Sequence, residues 1–209
     1  ETASIYQALG LSLLLVFTGW VLGGLYFHWV AHLATPGLAA GNRPRAGRAV
    51  LQTLLYALLW SVASWVVLIP LAGLLYILFM INAALGEGAL LLLGFLSMWL
   101  IVPLFFSPHG MFVRRQNALA SVLSAFELTR FTLPTSSLFV LVVFLLGVGL
   151  NLLWSKPASE SWLALVGLFG HAFVTTALLA ASFVYYNNMT AWLQTALTRM
   201  RAGTPGPAA

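Results

Sequence analysis

Residues 49–85 read AVLQTLLYALLWSVASWVVLIPLAGLLYILFMINAAL, without a charged side chain anywhere. A hydrocarbon core of about 30 Å takes about 20 apolar residues in a helix. The stretch is too long for one simple span and short for two. Pro70 lies near its middle. Either one long helix is kinked at Pro70, or two short or re-entrant segments meet there. The flanking charges decide. Eight of the nine basic residues are arginines in three clusters: Arg43, Arg45 and Arg48; Arg114, Arg115 and Arg130; Arg199 and Arg201. Lys156 stands apart, near Glu160. If 49–85 crosses once, all eight arginines fall on one side and Lys156, Glu87 and Glu160 on the other. That is the positive-inside pattern. Two full crossings, or a re-entrant return, would separate Arg43, Arg45 and Arg48 from the later arginines.

We therefore expect an all-α polytopic bundle forming a single transmembrane domain over 1–200. Its five spans are 5–34, 49–85, 89–106, 136–154 and 162–184; six crossings is the alternative. The N-terminus is expected outside and the C-terminus in the cytoplasm, in a bacterial cytoplasmic membrane. Gly86-Glu87-Gly88 should turn the chain between the second and third spans. Trp154 and Trp162 bracket the outer loop like an aromatic belt. The opening Glu1-Thr2-Ala3-Ser4 has no basic stretch, so no cleavable signal peptide is expected there.

Composition agrees. Of 209 residues, 61% are hydrophobic and 6% charged, and the mean hydropathy is +0.98. A soluble domain carries about 25% charged residues, and a water-soluble fold of this size could not hide so much apolar surface. The net charge of +5 sits beside spans, where it suits anionic headgroups and not nucleic acid. Arg43, Arg45, Arg48, Arg114, Arg115, Arg199 and Arg201 are the candidate headgroup contacts. With no cysteine, disulfides, thiolate catalysis and Cys-based metal sites are excluded.

Two amphipathic interfacial helices are expected, at about 112–131 and 187–200. In the first, Ala118, Leu119, Val122, Leu123, Ala125 and Phe126 share one side at the helical period. Gln116, Asn117, Ser121, Ser124 and Glu127 share the other. Glu127 and Arg130 can pair. Thr135, Ser136 and Ser137, after Pro134, are candidate N-caps of the fourth span. The tail 201–209 reads as disordered.

Few residues offer chemistry. His28 and His32 lie four apart on the first span, and His171 lies in the last. Each could be the axial ligand of a haem or a chlorophyll-type pigment, though interface or helix–helix hydrogen bonding explains them more simply. His109, after Pro108 at the inner end of the third span, reads as a capping or headgroup contact. No acid lies inside a span, which argues against ion-coupled transport and paired-carboxylate catalysis. Gly19 and Gly23, Gly147 and Gly149, and Gly167 and Gly170 are candidate helix-packing positions, within the bundle or against another subunit. Trp60, Trp65 and Trp99 sit deep in their spans, facing lipid, partner helices or a flat ligand. No metal site is expected.

The segment 105–140 carries a resemblance. A span ending in Pro leads to a short basic stretch, then an Ala/Ser-rich helix ending Ser124-Ala125-Phe126-Glu127-Leu128-Thr129-Arg130, then a hydroxyl-rich start to the next span. Through Ala120, Ser124, Leu128, Thr129 and Arg130, and through Tyr185-Tyr186 in the last span, the C-terminal half resembles the YciC-like membrane proteins. It is similar likewise to the membrane domain of some glycerophosphodiester phosphodiesterases. The resemblance implies a non-catalytic multi-pass protein, usually with one segment more than the five read here, and brings no catalytic residues.

The function expected is a non-enzymatic membrane subunit or scaffold, with other integral membrane proteins and anionic lipids as partners. A haem- or pigment-binding subunit and a membrane facilitator or transporter are the alternatives.

Overall fold

The computed structural model describes residues 2–36, 44–154, 156 and 161–202. Arg43, Glu160, the Arg201 side chain and the tail 203–209 lie outside the described residues. Among these residues six helices follow in order: α1 Thr2–Ala34, α2 Ala46–Ile81, α3 Ala83–Phe106, α4 His109–Val113, α5 Ala118–Trp154 and α6 Trp162–Ala202. Five of them are long and apolar enough to cross a membrane. The protein is thus an all-α, multi-pass helical bundle.

Local chemistry sets the boundaries. Thr35 ends α1, its hydroxyl and N–H both donating to the Ala31 carbonyl. α2 runs unbroken through Pro70, so 49–85 does not divide there. The turn lies earlier than Gly86-Glu87-Gly88. Asn82 is extended and its side chain accepts the Ala84 N–H at 2.8 Å, starting α3. Gly86 lies inside α3, where a Cβ would run into the Phe79 ring. It lets α2 and α3 approach and does not turn the chain.

The interfacial helices also differ from expectation. The stretch 112–131 is broken: α4 ends at Val113, and α5 starts at Ala118 and continues into the membrane. The change of direction comes at Thr132, whose φ of −122° and ψ of 16° are non-helical. Pro134, two residues on, removes a donor and crowds the carbonyl of the previous turn. Thr135 and Ser137 are not N-caps: each donates backward, to the Thr132 and Pro134 carbonyls. Ser136 donates instead to Thr132 Oγ1 at 2.9 Å, with Met189 Sδ the alternative acceptor at 3.1 Å. The stretch 187–200 is no separate helix either, because α6 continues through it.

The long helices adjoin in the order α1, α2, α3, α5, α6 and back to α1; α2 also reaches α5. The short α4 lies against α1, α2, α5 and α6, and all five of its residues are buried. The core gathers around it, with Val30, Ala31, Ala49, Phe106, Leu128, Phe183 and Tyr186. Arg48 and Arg115 meet at this end, so it is the arginine-bearing end. Toward the far end packing thins. Every residue of 4–20 and of 94–101 is exposed. The contacts there are pairwise, Gly86 with Phe79 and Gly167 and Gly170 with Trp154.

Candidate functional site

The site grows from Ser107-Pro108-His109-Gly110. α3 closes with a tight turn in which the Ser107 N–H and hydroxyl both donate to the Leu104 carbonyl. The Tyr56 hydroxyl from α2 bonds the Ser107 hydroxyl, and Ser121 of α5 donates to the Ser107 carbonyl. Gly110 then fits where no side chain could. A Cβ would collide with Gln116 Oε1 and Ser121 Oγ and sit 3.1 Å from the Tyr186 hydroxyl. Its carbonyl accepts both the Arg114 and the Gln116 N–H. Between these, Arg115 takes a left-handed φ of 55°, costly for a residue with a Cβ. The connection is held in place by Arg48, whose guanidinium donates to the Arg115 carbonyl at 3.1 Å and to Asn117 Oδ1 at 3.2 Å. Gln52 Oε1 accepts the Ala118 N–H at 2.8 Å.

His109 is not a headgroup contact. It is 2% exposed and ringed by Phe105, Phe106, Phe183 and Tyr186, with centroids 4.7–5.6 Å away. Its Nε2 lies 2.8 Å from Ser182 Oγ. Ser182 also donates to the Leu179 carbonyl. Nδ1 is buried without a hydrogen-bond partner.

Cavities lie on both sides of α4. One is an apolar cleft of about 320 Å³ whose lining includes Phe27, Phe105, His109, Gly147, Thr175 and Ser182. The other, at the arginine-bearing end, is a polar groove of about 500 Å³ lined by Val113, Arg114, Gln116, Asn187, Thr190, Ala191 and Gln194. A smaller hollow of about 150 Å³ continues past Arg114 to Ser124, Glu127, Tyr186, Leu193 and Leu197. Five residues of helix, about 7 Å at 1.5 Å per residue, separate cleft from groove.

The other candidates fall elsewhere. The His28 and His32 rings face each other at 6.4 Å, while His171 is exposed on α6 and does not join them. Among the described residues no three His, Cys, Asp or Glu side chains group as metal ligands. Gly19, Gly23, Gly147 and Gly149 have nothing among the described residues within 4 Å of a Cβ position, so none mediates close packing between the described helices. Gly24, which sequence reasoning passed over, does: a Cβ there would sit 2.8 Å from Thr53 Oγ1. Gly167 and Gly170 pack on Trp154 as a packing role requires. Trp65 and Trp99 are exposed and Trp60 packs edge-on to Tyr56. Glu127 and Arg130 do not pair; Arg130 lies 6.0 Å from the Phe131 ring centroid. The polar cluster around α4 was missed because Ser, Gln and Gly near a span end read as interface. The signal was the run Ser107-Pro108-His109-Gly110, where a second proline precedes a histidine and a glycine.

No protein family, curated protein or solved structure matches the chain.

Proposed function

We propose that the chain is a non-enzymatic integral membrane subunit or scaffold that packs against other membrane proteins, its arginine-bearing end in the cytoplasm of a bacterial cell. The observation that carries this reading is α1. From Gly24 onward the helix is locked into the bundle, yet residues 4–20 expose every face, with Gly10 and Gly19 open to close approach by another helix. Small residues at a bare helix surface suit helix–helix association in lipid. The likeness to YciC-like proteins belongs to the same proposal, since it implies a non-catalytic role.

Native mass spectrometry of the protein taken from its own membrane in mild detergent tests it. We expect added mass in protein-sized steps, and its loss in a Gly19→Leu, Gly23→Leu variant. Nothing among the described residues lies within 4 Å of either Cβ position, and an unchanged melting midpoint in detergent would show that the variant keeps the bundle intact. A bare chain from the wild-type membrane would overturn the reading.

A second reading, a membrane facilitator, draws on the cleft and groove separated by α4. Flux of a small solute into liposomes that rises when Phe112 of α4 is changed to Ala would favour it; liposomes as tight as protein-free ones would exclude it.

A further inference from the structure

We propose that the groove at Arg114 is a binding site for one phosphate-bearing lipid headgroup, distinct from diffuse attraction between arginines and the membrane surface. The larger cavity places a single cation among side-chain amides and a hydroxyl, from Gln116, Asn187, Thr190 and Gln194. Its lining holds no acid. Glu127 lies in the smaller hollow on the other side of Arg114. Arg114 is exposed and, among the described residues, has no carboxylate partner. A guanidinium binds phosphate through paired, charge-assisted hydrogen bonds. The amide N–H groups suit the ester oxygens, and the Thr190 hydroxyl, which donates to the Asn187 carbonyl, can still accept from a hydroxyl of a glycerol headgroup. The surroundings favour a lipid as the source of the phosphate. Leu193 and Leu197 line the adjoining hollow, and Trp192, Leu123 and Phe126 are exposed on the same two helices. Apolar and Trp side chains outside a polar groove mark the depth where headgroup meets acyl chain. The site does not depend on the subunit reading, because a single chain supplies all of it.

The test uses the purified full-length chain in detergent with phosphatidylglycerol or phosphatidylcholine added, read by native mass spectrometry. One phosphatidylglycerol should stay bound per chain and phosphatidylcholine should not. Arg114→Gln should weaken retention about tenfold, in line with loss of a charge-assisted bond. Gln194→Ala, an exposed position, should weaken it less. Arg199→Gln, at the same end but outside the groove lining, should leave it unchanged. Equal losses from Arg114→Gln and Arg199→Gln would overturn the site in favour of diffuse attraction, as would equal retention of the two lipids. Displacement of the lipid by millimolar inorganic phosphate would overturn the lipid assignment and give the groove to a soluble phosphate compound. Unchanged melting of each variant separates loss of the site from loss of fold.

Discussion

Gly110 has two oxygens where a methyl group would go and a third close by. Gly110→Ala must push Gln116 and Ser121 away and break the seam joining α3, α4 and α5. We expect a loss of about 1–3 kcal/mol, the range for overpacking a tight core, seen as a lower melting midpoint in detergent. Gly147→Ala is the control: with open space around it, the substitution should be neutral or gain up to about 1 kcal/mol of helix propensity. His109 and Ser182 form a second residue-scale test. Ser182→Ala strands His109 Nε2 without its partner in a shell of rings, at about 1–3 kcal/mol. In a double-mutant cycle with His109→Ala the two losses should fall short of additivity by about 1 kcal/mol. Additive losses would show that the hydrogen bond contributes nothing. Composition alone hid His109, because a histidine after a span-ending proline fits an interface as readily as a core. Only the convergence of Phe105, Phe106, Phe183 and Tyr186 from two helices buries it, and that pairing is long-range.

At the scale of elements, Asn82 divides what is otherwise one apolar stretch into α2 and α3. Asn82→Ala removes the side chain that accepts the Ala84 N–H and should cost about 1 kcal/mol. Slower proteolysis near residue 82 in the variant than in the wild type would count against that. The sequence signals here traded places. Gly86-Glu87-Gly88 has a turn's composition, but Gly86 is spent on contact with Phe79, and a single Asn makes the turn. The amphipathic start of α5 was legible as a helix with two faces. Its sense in the fold was not: Ser121, Ala125 and Leu128 are buried while Leu119, Leu123 and Phe126 are exposed. Lipid rewards apolar side chains outside, so the small and hydroxyl-bearing face turns inward to hydrogen-bond. α6 runs past 184, where the last span is expected to end, for a related reason. Tyr186 and Thr190 are buried, with Thr190 bonded to the Asn187 carbonyl, and so the polar run packs against the core and α6 carries on.

For the whole molecule, the number of spans was legible because arginine placement decided what the length of 49–85 left open. Which helix neighbours which was not, since apolar spans of similar composition carry no pairing code. The chain has no cysteine, which makes the proposed orientation easy to check. Single cysteines at 87 or 156 should react in intact cells with a membrane-impermeant thiol reagent, and cysteines at 48 or 199 only after lysis. The reverse pattern would put the arginine-bearing end outside. One further consequence follows from packing that is concentrated around α4. Helices of 33 to 41 residues are about 50–60 Å long, well beyond the hydrocarbon thickness, and they are fastened to one another chiefly at one end. Such a body behaves as a stiff foot with compliant legs. When the bilayer thins or comes under lateral tension, tilting of the legs is opposed at the far end by such contacts as Phe79 with Gly86 and Trp154 with Gly167 and Gly170.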